Sequence, residues 1–535
     1  MTCTDEKFQK AQMNASAQPI PVIDLFAGPG GLGEGFSSIF EDGRRCYRSV
    51  LSIEKEASAH QTLQLRAFFR LFPYGQAPDE YYQLARGEIT LQQLYAAYPE
   101  QAKQASHEAW CVELGESAVS EVRSRIETAL GVADPWVLLG GPPCQPFSLA
   151  GRSRNNRGTR YSDGKETRHQ LYVEYLQIIA DFWPAVFVME NVRGLLTAKY
   201  AGVRMFDRIV EDLHDPAGAI ERIPGRNRLR RGIKHRYTLY PIADHKYQDS
   251  TTDHIHDYIV KSELHGVPQA RHRLIVVGVR DDIAVGPKPL SFSAEVSAGR
   301  VLSGLPSLRS GLSKNDDAQA WRRTIEKAGT SYWLKRLKKG DEKTVQRIEE
   351  SIHNLVDSKH GRGDGFLRGK PTVGYAPEWY LDKRIGGVCN HQTRAHMASD
   401  LHRYLFASSF ADVHGRSPKL SDFPRRLLPD HLSVWQALSG NYFADRFRVQ
   451  LAGRPSTTVV SHIAKDGHYY IHPDSSQCRS LTVREAARLQ TFPDNYLFLG
   501  NRTQQYTQVG NAVPPLLAKQ IAGVVREMLV RGGKL

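Results

Sequence analysis

Pro21-Val22-Ile23-Asp24-Leu25-Phe26-Ala27-Gly28-Pro29-Gly30-Gly31-Leu32-Gly33 decides the fold class of this chain. The apolar run reads as a buried strand. The glycines after it let the backbone turn tightly and approach a ligand at the start of a helix. A second candidate strand, Arg48 to Glu54, puts an acid about 20 residues on, where a ribose-binding carboxylate belongs. On these residues alone the loop suits a nicotinamide dinucleotide, S-adenosylmethionine (SAM) or a turn without a ligand.

Working outward, short apolar runs alternate with helical patterns, as in an α/β sheet. Further strands are expected at Trp136 to Leu139, Val186 to Glu190 and Leu274 to Val279. Helices are expected at Glu56 to Phe69, Leu91 to Ala97, Ser120 to Leu130, Arg168 to Asp181 and Val203 to Leu213. Arginines crowd an insert at Glu221 to Tyr237. From Pro287 the periodicity weakens: Ser331 to Lys339 reads as a basic amphipathic turn or helix, and Gly361 to Gly369 as a mobile or partner-wrapped glycine stretch. Helical patterning returns at Leu481 to Leu489, with Ser480 or Thr482 as the cap and Glu485 three residues after Thr482, and at Pro515 to Leu529.

A chain of 535 residues exceeds one compact core and suggests two domains. The net charge is +14, which favours a polyanionic partner. Between Gly286 and Cys478 there are 29 lysines and arginines against 19 acids, a net of +10, so most of the excess lies in one middle segment. The six cysteines show no CxxC spacing, which fits reduced thiols rather than a disulfide framework. No run reaches the roughly 20 apolar residues of a membrane span, and Met1 to Gln18 reads as a polar lead-in. A cytoplasmic protein is therefore expected.

Three further segments carry chemistry. Leu138-Leu139-Gly140-Gly141-Pro142-Pro143-Cys144-Gln145-Pro146-Phe147-Ser148 sets a cysteine on a stiff turn after a buried strand, presented for reaction. Glu190 ends an apolar run, so its carboxylate reaches the strand-end cleft where α/β sheets bind ligands. In Gln269-Ala270-Arg271-His272-Arg273 the polar residues two apart share one face of an extended segment. A thiolate, a proton donor and a fixed cation are what addition of sulfur to a pyrimidine ring requires. Cys389, His391, His396 and His402 do not follow a usual zinc spacing, and no metal is expected.

These segments, in this order, resemble the cytosine-C5 DNA methyltransferases over roughly residues 20 to 285 and 440 to 535. The resemblance implies a Rossmann-like SAM-dependent α/β sheet with an inserted target-recognition domain. The expected division is a lead-in (1–18), a SAM-binding catalytic domain (19–285), a basic recognition domain (286–478) and a C-terminal segment completing the catalytic domain (479–535). It implies SAM contacts from Phe26, Gly28, Gly30, Gly31 and Glu54, with Glu113, or failing that Glu88, at the adenine. Asn511 and Val513, in Gln508 to Pro515, would close that site. Cys144 would be the nucleophile, Glu190 the donor to ring N3 and Arg273 the donor to O2, with Arg271 bracing the thiol loop. Gln145, Ser148, Arg152, Arg154 and Gln269 would face DNA. The implied activity is methyl transfer to carbon 5 of cytosine in a specific duplex sequence, after base flipping and through a Cys144 adduct. The implied setting is a monomer on double-stranded DNA, in a restriction-modification or phage-defence system with a cognate endonuclease. Alternatives are an RNA cytosine methyltransferase, a non-catalytic DNA-binding module and a nicotinamide oxidoreductase.

Overall fold

The computed structural model describes residues 18–115, 119–143, 166–200, 202–223, 234–243, 254–356, 359–438 and 445–535. Cys144, Gln145, Ser148, Arg152 and Arg154 lie outside them, as does most of the lead-in and of the arginine-rich insert.

The apolar runs form an eight-stranded sheet. Its strands are β1 (Ile20–Leu25), β2 (Tyr47–Glu54), β3 (Ala109–Cys111), β4 (Val137–Gly140), β5 (Val186–Val192), β6 (Tyr237–Tyr240), β7 (Ile259–Lys261) and β8 (His272–Arg280). The order is β6-β8-β5-β4-β1-β2-β3, with β7 also paired to β8. The five strands from β5 to β3 are mutually parallel; β8 runs antiparallel to them and pairs antiparallel with β5, β6 and β7. Strands covered on both faces read as nearly continuous apolar runs, which is why β1, β4 and β5 stand out in the sequence.

Alternate residues feed two cores. Ile23, Leu25, Leu138, Phe187, Met189 and Leu274 face one side, packed with Tyr175, Ile179 and Ile209. Val22, Val137, Leu139, Val188, Ile275 and Val277 face the other, against α1 (Gly31–Ser37) and a last helix, Pro515–Arg531, through Leu517, Ile521, Val525 and Met528. The C-terminal helix thus covers the sheet begun by the N-terminal strand, and Tyr47 Oη donates to the Ala522 carbonyl at 2.8 Å.

The gap between β2 and β3 holds α2 (Ala57–Arg70) and three short helices, Asp79–Ala85, Leu91–Ala97 and Pro99–Glu108. They pack against Ile385 and Cys389 of the basic segment. That segment has its own helical core of Trp321, Ile325, Leu405, Phe406, Phe410 and Phe423. Its two ends behave differently: Ala298, Val301, Val459, Ile463 and Tyr470 share a core with Leu481, Leu489, Phe492 and Tyr506. A cut at 478 therefore runs through one packed unit. The glycine-rich stretch is a strand, Gly363–Arg368, paired antiparallel with Gly387–Gln392, which corrects the mobile reading. Thr482 and Glu485 form the capping box of the helix Val483–Leu489.

Candidate active site

The chain lays β1, β2 and β3 outward in one direction and then returns to place β4 and β5 on the other side of β1. Leu25 pairs with both Ile53 and Gly140, and Gly140 with Met189. The carboxyl ends of β2, β1, β4 and β5 are therefore level. The loops after β1 and β4 flank the point where strand order reverses, where open α/β sheets bind ligands. Sequence and topology agree on the cleft.

On the cofactor side, Gly28 has φ +57° with nothing within 4 Å of where a Cβ would stand. Its N–H donates to Glu54 Oε2 at 2.8 Å, and Glu54 Oε1 accepts from the Glu56 N–H at 2.8 Å. Phe26, half-buried, also has positive φ, 58°. Gly30 and Gly31 are held by protein. A Cβ on Gly30 would lie 2.8 Å from Leu63 Cδ1, and one on Gly31 would lie 2.2 Å from the Val513 carbonyl oxygen. Glu113 follows β3 and pairs with Lys55, the residue after Glu54, at 2.7 Å. Glu88 instead pairs with Arg86 and meets Arg368 of the strand Gly363–Arg368. Asn511 is exposed and Val513 buried. Beneath the loop, burial pushes Asp24 up to about 7 despite nearby Arg70. The residues fit SAM in chemistry: Phe26 is a half-buried aromatic ring, Glu54 is a carboxylate at the strand end, and Gly28 leaves room for close approach.

On the β4–β5 side, Glu190 and Arg273 meet. Ile275 is registered opposite Glu190, so Arg273, two residues along, shares that face. Arg273 Nε lies 2.9 Å from Glu190 Oε1, with the side chains 14% and 15% exposed: both still reach the cleft. Gly141 runs close beneath this pair: a Cβ there would stand 3.1 Å from Glu190 Oε2. Asn191, buried, donates from Nδ2 to the Pro142 carbonyl at 3.0 Å. The strand end that presents Glu190 thus also holds the chain two residues before Cys144, a role for Asn191 that spacing alone did not reveal.

One expectation is corrected. Gln269 is fully buried: its Nε2 donates to Gln490 Oε1 at 2.9 Å, and its Oε1 accepts from the Val459 N–H at 2.7 Å. It cannot face DNA. Arg271 is 2% exposed, and Nη1 donates to the Val459 carbonyl at 2.8 Å. Burial and then the Arg273 charge push it down to about 9. Through its hydrogen bonds it braces the C-terminal half. The shared-face reading failed because residue 271 falls between the short strand Gln269–Ala270 and β8. Gln269–Ala270 pairs with Ser456–Thr457, which turns both side chains inward.

Cys389, His391, His396 and His402 each engage a different neighbour: the carbonyls of Ala85, Pro306 and Thr324, and the hydroxyls of Thr482, Tyr404 and Ser480. Among the described residues no helix is long and apolar enough to cross a membrane.

The sequence model of C-5 cytosine-specific DNA methylases matches residues 98–216 and 253–527. The type II methyltransferase M.Bpa9945I of Bacillus paralicheniformis is 30% identical over 530 residues, spanning 95% of this chain and 99% of its own length. The chain belongs to the C-5 cytosine-specific DNA methylase family. Two other similar proteins are the type II methyltransferases M.AgeI of Thalassovita gelatinovora and M.DdeI of Desulfomicrobium norvegicum. Each is 26% identical and matches 94% of this chain, over 98% and 87% of their own lengths respectively. The methylase uses SAM to methylate carbon 5 of cytosine in DNA, which removes the nicotinamide, RNA and non-catalytic alternatives.

Proposed function

We propose that the methylase flips one cytosine of a specific duplex sequence into the β1–β4 cleft and methylates it through a Cys144 adduct. Carbon 5 of cytosine is a weak nucleophile. Addition of the Cys144 thiolate to C6 makes C5 enamine-like while Glu190 gives a proton to N3 and Arg273 donates to O2, so no charge accumulates on the ring. SAM, when bound at Phe26, Gly28, Glu54 and Glu113, supplies an electrophilic methyl group. Loss of the C5 proton and elimination of the thiolate then release 5-methylcytosine. The observation that carries this reading is the Glu190–Arg273 pair beside the Asn191–Pro142 hydrogen bond.

The basic segment, Gly286 to about residue 455, is the part we assign to reading the DNA sequence. The arginines from Arg152 to Arg160 are assigned to phosphates around the flipped base. Similarity to type II methyltransferases supports a cytoplasmic, nucleoid-bound role in a restriction-modification system with a cognate endonuclease.

Trapping tests the covalent step. A duplex carrying 5-fluorocytosine at the mapped target cannot lose fluorine as the proton is lost. Wild type with SAM should give a denaturation-resistant protein–DNA species, and Cys144→Ser none. A wild type that methylates cytosine yet traps nothing would contradict the adduct.

A further inference from the structure

Tyr496 lies 467 positions from Pro29, yet its phenol donates to the Pro29 carbonyl, in the middle of the cofactor loop. A Cβ on Gly30 would stand 3.0 Å from the same oxygen. The Tyr496 ring packs 4.7 Å from the Arg66 guanidinium carbon. Arg66 in turn holds both carboxylate oxygens of Glu34, through Nε at 2.9 Å and through Nη2. Glu34 lies in the first turn of α1, the helix the loop opens. One side chain therefore touches the loop at Pro29 and Gly30 and, through Arg66, the helix behind it. Tyr496 is fully buried, and burial pushes its hydroxyl well above the usual tyrosine range, so it remains a donor. Its own position is fixed from the recognition side: Arg484 donates to the carbonyls of Tyr496 (2.8 Å) and of Cys389 (3.0 Å) in the recognition hairpin.

We propose that Tyr496 is a positioning residue for SAM, setting the Pro29–Gly30 backbone so that the loop is preformed when the cofactor arrives. This rests on reading Gly28 to Gly31 as the SAM loop. Losing one buried hydrogen bond to that loop should weaken SAM about tenfold.

The test is Tyr496→Phe, which keeps the ring against Arg66. SAM and its demethylated product, S-adenosylhomocysteine, should each bind about tenfold more weakly by calorimetry. The KM for SAM should rise in parallel, while kcat at saturating SAM and the KM for DNA stay within about twofold. Tyr81→Phe is the control: that phenol donates to the Asn495 carbonyl at 2.8 Å, next door but off the loop, and its loss should leave SAM affinity within twofold. Tyr496→Leu, lacking the ring, should lose more affinity than Tyr496→Phe. Wild-type SAM affinity in Tyr496→Phe, or an equal loss in Tyr81→Phe, overturns the proposal. A Gly28→Ala variant with undiminished SAM affinity would instead overturn the reading of the loop.

Discussion

Asn191→Ala isolates the contact that joins the Glu190 strand end to the thiol loop. The wild-type amide donates to the Pro142 carbonyl at 3.0 Å and accepts from the Val192 N–H at 2.8 Å. Truncation removes both and leaves two peptide groups to find other partners. Each unsatisfied buried group costs roughly 1–3 kcal/mol, and part of that reappears as a Pro142 carbonyl no longer held two residues ahead of Cys144. If about 1.4–2.8 kcal/mol enters the barrier, kcat falls roughly 10- to 100-fold. SAM affinity should stay within about twofold, because Gly28 and Glu54 do not touch Asn191. Asn191→Asp sharpens the test. It keeps an acceptor for Val192 but turns an oxygen towards the Pro142 carbonyl, so it should be at least as slow as the alanine variant. Single-turnover transfer of radiolabelled methyl to saturating DNA, with calorimetry of S-adenosylhomocysteine, measures both quantities. A kcat within twofold of wild type in Asn191→Ala, or an aspartate variant faster than alanine, would falsify the reasoning.

Three other outcomes are expected. Gly28→Ala, at an open position with positive φ, should weaken SAM with little change in melting temperature. Gly31→Ala, whose Cβ would meet the Val513 carbonyl at 2.2 Å, should instead lower the melting temperature markedly; the reverse pattern would refute the division of labour in the loop. Gln269→Ala should cost roughly 2–4 kcal/mol in denaturant unfolding and leave the DNA affinity of the folded protein unchanged, whereas weaker DNA binding with full stability would make it a DNA contact. Burial pushes His391 and His472 down to about 4 and His396 to about 3. The unfolded chain takes up these protons near pH 6.5 and the folded one does not. Stability should therefore be lost as pH falls from about 6.5 towards 4, by on the order of 3 kcal/mol per histidine. A urea midpoint that is flat over that window would contradict their buried, neutral state.

The sheet and the ends of its strands were legible because parallel strands buried on both faces leave unbroken apolar runs, and because the glycine and proline turns follow them directly. Glu190 and Arg273 were found for the same reason: each sits where a readable strand opens onto the cleft. Side chains that act across the fold were not legible. Arg271 and Gln269 turn towards Val459 and Gln490, about 190 and 221 positions away, and Tyr496 reaches Pro29; no local spacing encodes such pairs. Burial hid others. The helix Ala398–His414 buries 11 of its 17 residues, polar ones included, so it carries no apolar stripe of period 3.6. Arg479, Arg484 and Arg488 are likewise buried, against Glu485, Asp494 and main-chain carbonyls.

The central claim is a thiol-dependent methylation of cytosine in one sequence context. Bisulfite sequencing of plasmid DNA from cells expressing the chain, beside a Cys144→Ser variant and an empty vector, tests it most directly. The account predicts protected cytosines at every copy of one short sequence for the wild type and none for the variant. Equal protection by Cys144→Ser, or no protected cytosine from a wild type that binds SAM, would contradict it.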